Sequence, residues 1–362
     1  MIEGKKTSKK SKLLRFAGFK SSVLLSLKQT NQKFRKAVYM NPLLRPVFYP
    51  RINVLYIEVS SNCNFNCKMC TYKKEHVTTG NMSWILFKKC VDEASSLGVK
   101  EICLHFGGES LLHPQFKKFL KYAIDIRNNG KIQRISWIDN GMLFNEEISN
   151  LVVDLAVDSI GFSIDGVGAV NDAIRLGAKY SDIEKNIKYL LKRRGIAKPE
   201  VFLSTCTFGK TEEQCLDIYR EWGPCVDRIT LIPAMSSENT IYDKGYLYGG
   251  SKMLAPPPYC TYPFEVMAIS WSGEVTGCCL DYSFRLHLGD ASKNSLKNIW
   301  RGSPYHALRM AALKNNFPPG PCRKCEFWKI NLEPKSEQIL DGTATLSYGY
   351  IYKTIRRNNR SK

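Results

Sequence analysis

The sequence predicts an α/β protein: a partial (β/α)6 barrel, open rather than closed, followed by a small cysteine-bearing unit. Three observations predict it. Apolar strand-like runs alternate with amphipathic stretches between residues 51 and 235. Motifs rich in glycine, amide and acid groups fall just after the ends of successive strands. Thiols gather in two places, one inside the alternating region and one beyond it.

The strand-like runs are Val54–Ser60, Ile102–Phe106, Ile135–Asp139, Ser159–Ile164, Val201–Thr205 and Arg228–Ile232. Helical patterns lie between them at Trp84–Leu97, Gln115–Asn128, Glu147–Leu155, Asp182–Arg194 and Glu212–Trp222. A strand followed repeatedly by a helix implies parallel pairing through right-handed crossovers. Six such units are too few for a closed eight-stranded barrel. The expected division is a basic N-terminal extension (1–50), the barrel (51–235), a linker (236–258), an auxiliary unit (259–330) and a basic tail (331–362).

With 362 residues and 44% hydrophobic content, the chain can bury a substantial core. No apolar run approaches the eighteen or so residues of a membrane span, and none reads as a secretory signal. Thirteen cysteines without an export signal suit a reducing cytoplasm rather than a disulfide framework. The net charge of +20 is uneven: residues 1–50 carry twelve Lys or Arg against the single acid Glu3. The mixture of Leu13, Leu14, Phe16, Phe19 and Val23–Leu27 with basic residues suits a surface-seeking amphipathic helix, hence peripheral membrane contact through the N-terminus. Interleaved aromatic and basic repeats are lacking, which disfavours a zinc-stabilised nucleic-acid binder.

Cys63, Cys67 and Cys70 form a CxxxCxxC group where the first strand runs out into a loop. Three thiolates at this spacing can hold three corners of a cubane iron–sulfur cluster and leave the fourth iron open. Zinc usually wants four ligands, which this group does not supply. The second strand ends at Gly107-Gly108-Glu109 and the third at Asn140-Gly141. The fourth carries Ser163-Ile164-Asp165-Gly166, with Arg175 further on. Each is weak alone, but working residues of parallel-strand barrels sit at these ends.

The triplet and its register resemble the radical S-adenosylmethionine (SAM) enzymes, over residues from about 50 to 235. The resemblance implies a radical SAM barrel in which a reduced [4Fe–4S] cluster cleaves SAM to a 5′-deoxyadenosyl radical. It carries over Gly107, Gly108 and Glu109 to the cofactor's amino group, and Asn140 and Ser163 to its ribose and carboxylate. Arg175 is read as pairing with a carboxylate of cofactor or substrate, or as a structural salt bridge. The chain departs from the common pattern at Met69, at Ser110 in place of proline, and at Asp139 in place of the threonine of Thr-Asn-Gly.

Beyond Pro256-Pro257-Pro258 come Cys260, a hairpin pattern turning at Ser272-Gly273, Cys278-Cys279, a helix pattern near Leu296–Trp300, and Cys322-x-x-Cys325. Gly273-x4-Cys278 and the closing CxxC resemble the SPASM and twitch auxiliary domains of radical SAM enzymes. Cys260, Cys278, Cys322 and Cys325 would ligate one auxiliary [4Fe–4S] cluster. Four thiolates with one CxxC also suit zinc, and Cys279 competes with Cys278. No cysteine follows Cys325, so the domain is expected to be SPASM/twitch-like with a single cluster.

A fully ligated auxiliary cluster suits electron transfer better than substrate binding. The implied reaction is oxidation of a small polar metabolite such as a sugar or aminocyclitol, supplied with electrons by a flavodoxin or ferredoxin. Asp281 is the candidate base for the hydroxyl proton. The alternative substrate is a ribosomally made peptide; the short basic stretch before the barrel, too small for a folded peptide-recognition domain, favours the small molecule.

Overall fold

The structure is a computed structural model that describes residues 32–46, 49–72, 78–130, 132–207, 212–232, 234–235, 257–329, 338–340, 344–348 and 353–357. The apolar–basic segment at 13–27 and nearly all of the expected linker lie outside the described residues.

Six parallel strands form the predicted barrel wall: β1 (Val54–Ile57), β2 (Glu101–Cys103), β3 (Arg134–Asp139), β4 (Ser159–Ser163), β5 (Glu200–Cys206) and β6 (Arg228–Ile232), side by side in sequence order. Six helices connect or follow them: α1 (Trp84–Leu97), α2 (Phe116–Asn128), α3 (Glu146–Asp154), α4 (Ala169–Ile174), α5 (Tyr180–Arg194) and α6 (Glu212–Trp222). Their ends follow local chemistry. Ser83 caps α1 by accepting from Leu86 N, and Gly98 stops it at φ 67°. Asn145 caps α3 through Ile148 N. Their apolar faces meet the sheet in a core that includes the stacked pair Phe87–Phe119 and the chain Phe116–Trp137–Phe144–Phe162.

β1 and β2 end earlier than the apolar runs suggest. The Glu58 carboxylate accepts from Gly107 N and Trp271 N, so residues past Ile57 serve loop contacts as well as the edge of the ladder.

The auxiliary unit comprises α7 (Tyr262–Glu265), β7 (Val266–Ile269), β8 (Glu274–Thr276), β9 (Gly289–Asp290), α8 (Leu296–Arg301) and α9 (Ser303–Lys314). The predicted hairpin is β7–β8, turned at Gly273 with φ 106°. β7 also pairs in parallel with β1, Val54 opposite Val266, so the unit extends the barrel's own sheet. Buried Arg309 on α9 ties this side together, donating to Pro263 O (2.8 Å), Trp300 O (2.8 Å) and Tyr49 Oη (2.7 Å).

On the opposite edge, β12 (Lys353–Arg357) pairs antiparallel with β6, followed outward by β11 (Ala344–Tyr348) and β10 (Gln338–Leu340). Three strands thus stand where the sequence suggests a basic tail, and the sheet has twelve strands in all among the described residues.

Candidate active site and auxiliary cysteine cavity

The CxxxCxxC loop leaves β1 and is fastened at three places. Asn66 N and Lys68 N donate to Leu176 O (2.8 Å) and Ile174 O (3.0 Å). Asn140 Nδ2 donates to Asn64 Oδ1 (2.7 Å), and Glu109 N to Asn62 O (2.7 Å). The last contact explains the glycine pair. A Cβ on Gly108 would overlap Ser60 O and the Ser61 backbone, and one on Gly107 would overlap Tyr72 and the Glu58 carboxylate. Here the two glycines let loop approach loop; the sequence suggests approach to a ligand.

Cys63, Cys67 and Cys70 line one cavity of ≈ 260 Å³ at the C-terminal ends of the strands. The other five cofactor candidates, Gly107, Gly108, Glu109, Asn140 and Ser163, line it too, as does Arg175. Burial pushes the Cys67 thiol up to about 11, against the opposing pull of Arg175. Arg175 Nε lies 2.7 Å from Asp165 Oδ2, and its Nη1 is 3.9 Å from Cys67 Sγ. The salt-bridge reading of Arg175 therefore describes its present partner, while its position keeps it at the cavity wall. Burial opposes its charge, but Asp165 and then Cys67 hold it on.

Glu109 and Asp139 are both buried. Glu109 accepts from Asn140 N (2.9 Å) and Leu111 N (3.2 Å). Asp139 accepts from Gly141 N (2.7 Å) and Trp137 Nε1 (3.2 Å). Burial, then the neighbouring Asp139, pushes Glu109 well above the carboxylate range, and burial raises Asp139.

Two further groups at this cavity were missed in the sequence. His105, at the end of β2, has a buried Nδ1 without a partner, and burial lowers its pKa to about 4, so it is neutral. Tyr282 enters from the auxiliary unit and packs on Phe106. A search of strand-end titratable residues beyond the glycine motif finds His105; nothing local finds Tyr282.

Cys260, Cys278, Cys322 and Cys325 line a second cavity of ≈ 20 Å³, walled by Pro263, Leu286, Leu308, Phe317 and Phe327. Burial raises the thiols of Cys260, Cys322 and Cys325, the last to about 11; Cys278 is raised first by its contact with Cys279 and then by burial. Cys279 does not line this cavity; it touches Cys278 and packs against Phe106, Ala268 and Phe284. None of the 13 cysteines forms a disulfide. Among the described residues, no three His, Cys, Asp or Glu side chains converge as ligands of a single ion.

Asp281 requires a correction. It is fully buried, faces the small cavity, and accepts from Thr276 Oγ1 (2.7 Å), Arg285 N (3.1 Å) and Leu286 N (3.0 Å). Both oxygens are spent on shaping the turn, so it is not placed to take a substrate proton.

The family model described as the radical SAM superfamily matches residues 57–222, the part of the chain that carries the three-cysteine loop and the cavity. The chain carries a radical SAM domain. A second model, an iron–sulfur cluster-binding domain of SPASM type, matches residues 260–326. A tungsten-containing aldehyde ferredoxin oxidoreductase cofactor-modifying protein of Pyrococcus furiosus is 24% identical over 317 residues, covering 75% of this chain and 87% of that protein. A GTP 3′,8-cyclase of Desulforamulus reducens is 33% identical over 147 residues, 39% of this chain and 43% of the cyclase. Among solved structures, BtrN in complex with AdoMet and 2-DOIA aligns with TM-score 0.53 at 16% identity, over 76% of this chain and 93% of BtrN. Streptococcus suis SuiB bound to precursor peptide SuiA aligns with TM-score 0.60 at 13% identity, over 80% and 71% of the chains.

The cofactors of this radical SAM protein are [4Fe–4S] clusters and SAM. The residues present fit them: three thiols at the edge of a roomy, partly polar cavity leave space for an organic ligand, and four thiols around a small apolar one leave none. Among the described residues, no helix is long and apolar enough to cross a membrane.

Proposed function

We propose that the chain oxidises a small hydroxyl-bearing metabolite such as a sugar or aminocyclitol. Cys63, Cys67 and Cys70 hold the SAM-binding cluster, and Cys260, Cys278, Cys322 and Cys325 hold an auxiliary one. The observation that carries this reading is the wall between the two cavities. Leu280 lines both, two residues from Cys278 on one side and two from Tyr282 on the other. An electron can cross so short a wall, while a substrate has no room in the small cavity. Substrate binding therefore belongs to the larger one.

When loaded, the two clusters and SAM supply hydrogen-atom abstraction and uptake of the second electron. The chain's own residues do the rest. His105, neutral and with an unpartnered Nδ1, is placed to accept the hydroxyl proton that Asp281 cannot take. Phe106 and Tyr282 close the wall on the auxiliary side and exclude water. The 24% identical relative is itself called a cofactor-modifying protein, which is in keeping with a small-molecule substrate.

The test is anaerobic turnover of reconstituted protein with a panel of sugars and aminocyclitols. The product should be lighter by two hydrogens, with one SAM consumed per turnover. A product of unchanged mass, or SAM regenerated each cycle, would point to isomerisation. The likeness to SuiB favours a peptide as the second reading, and crosslinking of a precursor peptide would establish that instead.

A further inference from the structure

Single apolar side chains are common on protein surfaces and carry no message alone. In this chain they are concentrated. Of the nine large hydrophobic residues exposed among the described residues, four fall between residues 34 and 44: Phe34 (64% exposed), Met40 (41%), Leu43 (85%) and Leu44 (40%). Phe34 and Met40 belong to a helical segment, residues 32–40, and the two leucines to the turn after it, where Leu43 N donates to Asn41 Oδ1 (2.9 Å). The segment is fastened to the auxiliary unit by other residues. Tyr39 is buried with Tyr259 and Leu313 and packs edge-on against Phe264. Tyr259 Oη donates to Gln32 O (3.3 Å), Arg35 pairs with Glu265 (3.4 Å), and Arg45 Nη1 lies 2.9 Å from His306 Nε2. The outward apolar groups are thus displayed on an anchored element.

We propose that residues 32–46 dock on an anionic lipid surface, with Phe34, Met40, Leu43 and Leu44 entering the headgroup boundary and the neighbouring cations meeting lipid phosphates. Lys33 and Arg35 flank Phe34 in the chain, and residues 1–50 hold twelve Lys or Arg against one acid. Apolar insertion and attraction between cations and phosphates are the two terms that hold amphipathic segments in a bilayer interface. The charge selects among occupants. A second copy of the chain carries the same net charge of +20 and is repelled. A nucleic acid offers phosphates but no apolar phase for Met40, Leu43 and Leu44. Residues 32–40 are far too short to span a bilayer, so the contact lies on the surface rather than across it.

The experiment is co-sedimentation of the iron-loaded full chain with vesicles of phosphatidylcholine alone and of phosphatidylcholine mixed with phosphatidylglycerol. Wild-type protein should pellet with the mixed vesicles, stay in solution with the neutral ones, and come off as salt is raised. The triple variant Phe34→Ser/Leu43→Ser/Leu44→Ser should bind the mixed vesicles about tenfold more weakly. Ile85→Ser/Ile196→Ser, which removes exposed apolar groups elsewhere, should bind as the wild type does. Equal binding by the triple variant and the wild type, or no wild-type binding to the mixed vesicles, would overturn the inference. So would a lipid-free dimer that the triple variant abolishes, which would assign the face to a second copy. Hydrogen exchange on the wild type alone covers the case in which the triple variant fails to fold. Amides within residues 32–46 should exchange more slowly once mixed vesicles are added, and unchanged exchange there would equally overturn it.

Discussion

The two cysteine-lined cavities use the same ligand atom for opposite ends. The barrel cavity has three cysteines, ≈ 260 Å³ of space and polar groups on its floor. The auxiliary cavity has four cysteines, ≈ 20 Å³ and almost wholly apolar walls. The barrel cavity has one thiol fewer and an order of magnitude more room than the auxiliary one. Leu280 is common to both, so the sites are neighbours rather than independent units.

The largest effect should come from Cys67→Ala. SAM cleavage should drop to background while about four irons, one cubane, remain on the protein. Cleavage at the wild-type rate would erase the distinction between the two cavities. Next comes the pair Cys278→Ala and Cys279→Ala. The first should lose the auxiliary irons and product formation but still release 5′-deoxyadenosine. The second should keep its full iron, because Cys279 packs on an aromatic cluster and does not line the auxiliary cavity. Loss of iron from Cys279→Ala instead would reassign the ligand.

His105→Gln should then lower product formation about a hundredfold or more, as loss of a general base does, with SAM still bound at wild-type affinity. Unchanged turnover would remove His105 from the reaction. The smallest effect concerns Glu58, which joins the two regions by accepting from Gly107 N and Trp271 N. Burial raises its pKa from 4.5 to about 7. The folded protein therefore binds this proton more tightly than the unfolded chain. Its contribution is complete below about pH 4.5 and is lost as pH rises through about 7. A shift of that size corresponds to roughly 3 kcal/mol. Denaturant melts of Glu58→Gln should show a flatter pH dependence than wild type over that window; superimposable profiles would contradict the assignment.

The seven cysteines, the glycine motif and the six strands were legible because each is a local signal: a spacing, a turn residue or an apolar period. α1 and α6 begin and end where the amphipathic pattern does. Partner choice is not local. β7 lies beside β1 across more than two hundred residues of chain, and no periodicity near Val266 announces it. The edge strands β10 to β12 sit in a stretch whose basic character reads as solvated tail. Asp281 misled for a related reason. An acid near a cysteine ligand suggests chemistry, but only the three donors on its carboxylate reveal that it shapes a turn.

The account rests on two clusters in two distinct cavities, and one protein tests that most directly. Replacing Cys63, Cys67 and Cys70 together by alanine leaves the auxiliary thiols intact. After anaerobic reconstitution this variant should retain about four irons, show the paramagnetic signal of a single reduced cubane, and cleave no SAM. Stoichiometric zinc with no iron in the same variant would contradict the account and make the auxiliary cavity a structural site.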